Sequence, residues 1–205
     1  MRVIAGRYGS RRIASGRGME LRPTSDRLRE TLFDILQARI DGCFFVDGYA
    51  GTGAVGIEAV SRGAGRVVFL EKHRSSVALI RKNLEGLGIR EGVEVIAGDV
   101  CRGLTTLAER GMAADMLFFD PPYGEKEEYA RVLETLAGSA LVAAKTLIIF
   151  ERTRKLALKS AYGPLVRTRT VVQGDAALDF YALTVRTIAA EGFEAGNPVA
   201  GDAEA

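Results

Sequence analysis

Asp120-Pro121-Pro122-Tyr123 ends the apolar run Leu117-Phe118-Phe119, and its residue types suit one task, the holding of a planar amine. Neither proline can donate to a sheet ladder, and Pro121 pushes Asp120 out of helical geometry. A carboxylate, a stiff turn and an aromatic ring are thus set at the end of a buried strand. Asp120 and a proline-flanked carbonyl can accept the two N–H bonds of an amine while Tyr123 covers the ring that bears it. The chemistry this suggests is a reaction at a nucleobase amino group.

A second constellation lies upstream. Phe44-Phe45-Val46-Asp47-Gly48-Tyr49-Ala50-Gly51-Thr52-Gly53-Ala54-Val55-Gly56 reads as a strand, a glycine-rich turn and a helix start. Gly51, Gly53 and Gly56 let a ligand approach the backbone at a helix N-terminus. They fit a nicotinamide cofactor as well as S-adenosylmethionine. The next strand ends at Glu71, a carboxylate able to accept two ribose hydroxyls. The third ends at Asp99, which can accept from an adenine amine with an apolar neighbour on the ring, or serve simply as a helix N-cap. Asp47, Glu71 and Asp99 close successive strands, where open α/β sheets bind ligands, and Asp120 closes the fourth. An acidic lining opposes a pyrophosphate and suits the sulfonium of S-adenosylmethionine.

The elements that must carry these residues follow from the hydrophobic pattern. Continuous apolar runs at 43–47, 66–71, 93–97, 115–119 and 146–151 alternate with helical patterns at 52–62, 74–86, 102–110 and 126–138, which predicts a parallel sheet covered on both faces. Two last strands, near 165–172 and 177–185, are joined through Gln173-Gly174-Asp175 as an antiparallel hairpin. At the front, 2–5 and 10–14 suggest a small hairpin. Thr24 or Ser25 caps a helix to about Gln37 whose apolar face holds Leu28, Leu32, Ile35 and Leu36, with Arg27, Arg29 and Glu30 on other faces. The expected division is a basic hairpin and loop at 1–23, a catalytic domain at 24–188 and a disordered acidic tail at 189–205.

Composition narrows the setting. The 205 residues, 47% hydrophobic, suit one folded domain. No apolar run approaches the roughly 20 residues that span a bilayer, and the N-terminus lacks the core of a signal peptide. Cys43 and Cys101 stand far apart and read as buried free thiols, so neither a disulfide framework nor a structural zinc site is expected. The net charge of +2 hides an asymmetry: residues 1–30 carry eight arginines against three acids, and 189–205 carry four acids and no base. An arginine-only head is a handle for phosphates or a solvated face. Arg7, Arg11, Arg12, Arg22 and Arg27 are the candidate RNA contacts, with bracing of the helix an equal reading for Arg22 and Arg27. His73 reads as ordinary surface.

With Asp47-x-x-Ala50-Gly51-x-Gly53, Glu71, Gly98-Asp99 and Asp120-Pro121-Pro122-Tyr123, the chain resembles class I S-adenosylmethionine-dependent methyltransferases acting on exocyclic amines. Arg2-Val3-Ile4-Ala5-Gly6 and Leu21-Arg22-Pro23-Thr24-Ser25-Asp26-Arg27-Leu28-Arg29-Glu30-Thr31-Leu32-Phe33 resemble the RsmD family in particular, as do Gly63-Ala64, Phe69-Leu70-Glu71-Lys72, Asn83-Leu84 and Gly174-Asp175-x-x-Leu178-x-Phe180-Tyr181. The resemblance implies a Rossmann-like, mostly parallel seven-stranded sheet and methylation of a guanine N2 amine in 16S ribosomal RNA, bare or within a small-subunit assembly particle. It implies S-adenosylmethionine turned over to S-adenosylhomocysteine without a metal, by a cytoplasmic monomer. It carries catalysis onto Asp120, Pro121, Pro122 and Tyr123, and cofactor contact onto Asp47, Tyr49, Ala50, Gly51, Gly53, Glu71, Lys72, Asp99, Val100 and Asp120. The chain departs from the family at Gly48-Tyr49, where a pair such as Leu-Phe is usual. The Asp-Pro-Pro-Tyr motif also permits an adenine N6 amine in DNA or RNA. A nicotinamide oxidoreductase and a catalytically silent RNA-binding module are the readings from other classes; neither gives a role to residues 120–123.

Overall fold

The computed structural model describes residues 1–15, 25–122 and 126–184. The predicted tail at 189–205, Arg22 and Tyr123 lie outside the described residues. Five parallel strands alternate with helices: β1 (Phe44–Gly48), α2 (Ala54–Ser61), β2 (Arg66–Glu71), α3 (Arg74–Leu87), β3 (Val93–Ala97), α4 (Val100–Glu109), β4 (Ala114–Phe119), α5 (Lys126–Leu136) and β5 (Val142–Thr153). Helix α1 (Asp26–Leu36) precedes them, capped by the Ser25 hydroxyl, which accepts from the Leu28 N–H at 3.1 Å. Strands β6 (Ala161–Tyr162), β7 (Leu165–Gln173) and β8 (Ala176–Leu183) complete one sheet in the order β3-β2-β1-β4-β5-β8-β7-β6. The sheet is parallel from β3 to β5 and antiparallel beyond, as the sequence predicts. The two-residue edge strand β6 is an eighth member that the apolar pattern is too short to reveal.

Two apolar layers flank the sheet. On one face α1, α2 and α3 pack Leu32, Phe33, Ile57 and Ile80 against Phe45, Phe69, Phe118 and Ile149. On the other, α4 and α5 pack Leu104, Leu107, Val132 and Leu136 against Val46, Leu70, Leu117 and Phe150. The helices change faces between β1 and β4, so a crevice opens at the carboxyl ends of those strands, the switch point at which such sheets bind ligands.

Strand β5 starts four residues earlier than its apolar run. A register shift between Ala114 and Met116 explains the extension: the Thr146 hydroxyl donates to the Ala114 carbonyl at 2.5 Å and accepts from the Ala143 N–H at 2.8 Å.

The N-terminal segment departs most from expectation. One antiparallel bridge, Arg2 to Arg12, replaces the two predicted strands, and the segment is stitched into the domain by buried polar side chains. Glu58 of α2, wholly buried, accepts from the Ile4 and Ala5 N–H groups at 2.7 and 3.0 Å. The Ser61 hydroxyl accepts from the Tyr8 N–H at 2.9 Å and donates to the Ala5 carbonyl. Asn83 of α3 exchanges two hydrogen bonds with Ala14 and donates to the Thr52 carbonyl at 2.9 Å. Backbone groups far from their own strands are thereby satisfied. Arg29, expected on an outer face of α1, is fully buried: it donates to the Arg2 carbonyl at 2.6 Å and to Asp26 at 3.1 Å, with Glu58 3.9 Å away.

Candidate active site

The glycine turn after β1 is built to leave its backbone bare. Gly51 and Gly53 have φ of +55° and +76°, the left-handed region that side chains disfavour. A Cβ on Gly56 would stand 2.3 Å from the Phe69 ring, so α2 can seat against β2 only as glycine. Gly48 is likewise required: a Cβ there would meet the Phe119 ring at 2.3 Å. Phe119 fills the volume that a side chain at position 48 would take.

Asp47, Glu71, Asp99 and Asp120 all stand at the crevice. Asp47 is 2% exposed and accepts from the Gly56 N–H at 2.8 Å. Burial pushes its pKa up to about 8, with the Glu71 charge adding and the Gly56 hydrogen bond opposing. Glu71 is buried and accepts from the Gly51 N–H at 2.9 Å and the His73 N–H at 2.7 Å, which fixes its carboxylate at the glycine turn. Asp120 donates its backbone N–H to the Gly48 carbonyl at 3.4 Å, tying the end of β4 to β1. Its carboxyl is held well above the usual range, first by burial, then by the charges of Glu151 and Asp47. Pro121 is buried and Pro122 exposed. Ala50 and Val100 are buried beside the turn and at the head of α4, and Lys72 is exposed.

Sequence reasoning missed the groups that bridge this crevice. Asp99 is indeed the N-cap of α4, accepting from the Arg102 N–H at 3.1 Å. Both of its oxygens also accept from Arg131 of α5, at 3.1 and 2.8 Å. Arg131 donates as well to Glu128 at 3.0 and 2.7 Å, and Glu128 accepts from the Tyr49 hydroxyl at 2.6 Å. Tyr49 has φ +59°, a costly conformation for a side chain this large. A four-residue chain thus links the glycine turn, the head of α4 and the helix that follows residues 120–122. Arg131 holds the Asp99 and Glu128 carboxyls below their ordinary values. Spacing on α5 alone, Glu128 with Arg131 three residues later, signals only a helix ion pair; the reach to Asp99 depends on the sheet order.

The predicted RNA contacts separate into groups. The Arg11 guanidinium donates to the Gly86 and Leu87 carbonyls at 2.9 and 3.0 Å, bracing the C-terminus of α3. Arg7 and Arg11 both lie against the Tyr8 ring, with guanidinium carbons 5.4 and 5.9 Å from its centroid. That end of α3 is one helix length, about 20 Å, from the crevice. Arg27 is exposed and lines a separate groove with Arg2, Ile4, Ser10, Asp26 and Glu30, and Arg12 is exposed beside Arg11. Exposed Arg154 and Lys155, just beyond the end of β5, are cations nearer the crevice that the charge pattern of the sequence does not single out.

The donor set can be tested against the cofactors the motifs allow. Acidic acceptors at three strand ends and bare glycine backbone match a ligand with ribose hydroxyls, an amine and a positive centre. They offer a pyrophosphate chiefly the neutral amides of the glycine turn, one of which already donates to Glu71, amid buried carboxyls that would repel it. The residues fit S-adenosylmethionine. Among the described residues no group of three or more His, Cys, Asp and Glu could hold a metal ion, and no helix is long and apolar enough to cross a membrane. Cys43 and Cys101 are both buried free thiols, and burial pushes the Cys43 thiol up to about 12.

Comparison with known proteins adds to this geometry. A family model described as Conserved hypothetical protein 95 matches residues 1–182. The chain is 32% identical over 175 residues to a Bacillus subtilis protein named "Putative rRNA methyltransferase YlbH", covering 85% of this chain and 94% of that one. It is 35% identical over 147 residues to ribosomal RNA small subunit methyltransferase D of Escherichia coli K12, covering 69% and 72%. Among solved structures, the hypothetical protein TTHA0928 of Thermus thermophilus superposes with a TM-score of 0.76 at 29% identity, over 89% of this chain and 99% of its own. SMU.776, crystallised with S-adenosylhomocysteine, has a TM-score of 0.60 at 13% identity over 75% of this chain and 48% of its own, a likeness of fold alone.

Proposed function

The chain belongs to the family described as Conserved hypothetical protein 95, and on that premise we propose that it methylates the N2 amine of a guanine in small-subunit ribosomal RNA, with S-adenosylmethionine as donor. The observation that carries the reading is the junction of Asp120 with the acid-lined glycine turn, bridged by the hydrogen bond from the Asp120 N–H to the Gly48 carbonyl. An amine acceptor and a cation site then share one crevice. Curated relatives named as rRNA methyltransferases support the polymer.

Bound S-adenosylmethionine would supply an electrophilic methyl on a positive sulfur. Glu71 would hold its ribose, Asp99 and Val100 its adenine, and the turn at Tyr49, Ala50, Gly51 and Gly53 its backbone-facing side, with Asp47 setting the turn and Lys72 at the rim. The purine amine is a weak nucleophile because its lone pair is delocalised into the ring. Asp120 accepting one N–H and the Pro121 carbonyl the other would favour a pyramidal nitrogen and offset the positive charge that grows on it. Pro122 stiffens the turn, and Tyr123 would cover a base drawn out of its RNA context, a contact worth roughly 1–3 kcal/mol. Arg12, Arg27 and Arg22 would hold phosphates of the RNA, and Arg7 and Arg11 would serve a stretch distant from the crevice. The reading takes the protein as a cytoplasmic monomer.

The test uses labelled S-adenosylmethionine with bare 16S RNA and with small-subunit particles lacking modification, followed by digestion to nucleosides. Label in N2-methylguanosine is the expected result, and label in N6-methyladenosine would move the target to adenine. Asp120→Ala should slow single-turnover transfer by about a hundredfold or more, from a loss of roughly 2.7–4 kcal/mol, with cofactor affinity nearly kept. A near-normal rate would remove Asp120 from its role.

A further inference from the structure

Asp120 has an acidic neighbour to which the proposed reaction so far gives no part. Strands β4 and β5 pair in parallel through Phe118 with Ile149 and Phe119 with Phe150. One residue further on each strand come Asp120 and Glu151. Side chains alternate along a strand, so both leave the sheet on the face of Phe118 and Ile149, the face that also carries Asp47 and Glu71. Glu151 is 4% exposed. After burial, its charge is the largest influence on the Asp120 carboxyl. Its backbone carbonyl accepts from the Tyr129 hydroxyl of α5 at 3.3 Å, which secures the end of β5 next to the helix that follows residues 120–122.

We propose that Glu151 selects guanine by accepting the N1–H of the base whose N2 amine Asp120 holds. The inference rests on the methyl-transfer reading above and assigns that site its base. Guanine presents N1–H and the 2-amino group as adjacent donors on one edge. Adenine presents an acceptor, N1, beside its 6-amino group. Two carboxylates side by side meet two adjacent donors with each charge satisfied, whereas Glu151 facing adenine N1 would set a lone pair against a charge. The strands stand roughly 4.8 Å apart, and the extra methylene of glutamate lets its carboxylate converge on that of Asp120. Residues 120–123 alone do not separate the two purines; a second acceptor on the neighbouring strand does.

The test compares two short small-subunit rRNA fragments. One carries the unmodified target guanosine. In the other, 2,6-diaminopurine replaces it, keeping the 2-amino group but presenting an acceptor at N1. Single-turnover methylation is measured on each, together with binding of each fragment to protein loaded with S-adenosylhomocysteine, by fluorescence anisotropy. Wild type should favour guanosine about ten- to a hundredfold in both readouts. Glu151→Gln, whose amide can donate or accept, should bring that ratio close to one, with S-adenosylhomocysteine affinity unchanged. A general weakening of the fold would lower both fragments together and leave the ratio intact. If the glutamine variant does not fold, Glu151→Asp keeps the charge with a shorter reach, and should keep the preference while slowing transfer. An unchanged ratio in Glu151→Gln, or in its absence a lost preference in Glu151→Asp, overturns the inference. Wild type that methylates both fragments equally overturns it while leaving methyl transfer standing. Wild type that methylates neither fragment, nor small-subunit particles lacking modification, removes the proposed function, and this inference with it.

Discussion

Binding of S-adenosylmethionine should release protons, because the crevice holds carboxyls that burial keeps protonated. At pH 7 a group whose pKa is pushed up to about 8, as that of Asp47 is, carries about 0.9 of a proton. A positive sulfur entering beside it favours the carboxylate form. Binding should therefore expel up to about 0.9 proton from Asp47. By linkage, the logarithm of the affinity should climb with pH, by up to about one unit per pH unit for each proton released, and level off above pH 8. S-adenosylhomocysteine, whose sulfur is neutral, should release less. Calorimetric titration at pH 7 in phosphate and in Tris, which differ in ionisation enthalpy, reads the proton count directly. Identical heats in the two buffers for S-adenosylmethionine would refute the reasoning. The same shift has a stability consequence with a definite sign. Between the ordinary aspartate value and about 8 the folded protein holds a proton on Asp47 that the unfolded chain does not, so stability falls as pH rises through that window, by at most about 6 kcal/mol. Melting of the cofactor-free protein from pH 5 to pH 8 should show that decline, and Asp47→Asn should flatten it.

Arg131→Ala should tighten S-adenosylhomocysteine binding by up to about fivefold, since it frees both Asp99 oxygens and gives up a half-exposed ion pair worth at most about 1 kcal/mol; weaker binding by calorimetry would mean that Arg131 orients Asp99 for the ligand. Glu58→Gln should cost about 3–5 kcal/mol, because it removes one of the two acids facing buried Arg29, breaks the ion pair with Arg62 and weakens two backbone hydrogen bonds. At roughly 2–4 °C per kcal/mol for a chain of this size, the melting point should drop about 6–20 °C; a drop under 2 °C would mean the N-terminal segment is held by its apolar contacts alone.

What can be read from the chain without its structure follows the range of the interactions. Runs such as Val67–Leu70 and Met116–Phe119 are buried on both faces, so their apolar continuity marks them as central parallel strands. The acids at 47, 71, 99 and 120 are legible for the same reason: each ends such a run. Glu151 ends one too, but only the pairing of β5 with β4 sets it beside Asp120. Glu58, Ser61 and Asn83 sit on helices where a polar residue ordinarily faces water, and their partners lie 53 to 69 positions away. Helical periodicity points Arg29 outward because it orients a face only toward neighbours already known, and nothing local reveals that the N-terminal segment packs over it. Charge alone makes Arg11 a phosphate contact because it says nothing of the carbonyls that end α3.

The way residues 1–14 are held also sets a timetable for synthesis. Ile4 and Ala5 are synthesised more than fifty residues before Glu58 exists to receive them, and Ala14 precedes Asn83 by 69. At about 5–20 residues per second, those backbone groups wait several seconds to more than ten before they can close. Over that interval the basic start of the chain is an unlatched strand carrying Arg2, Arg7, Arg11 and Arg12 through a surrounding of ribosomal RNA. Withdrawal of this cationic segment therefore waits on α2 and α3, whose Glu58, Ser61 and Asn83 receive it.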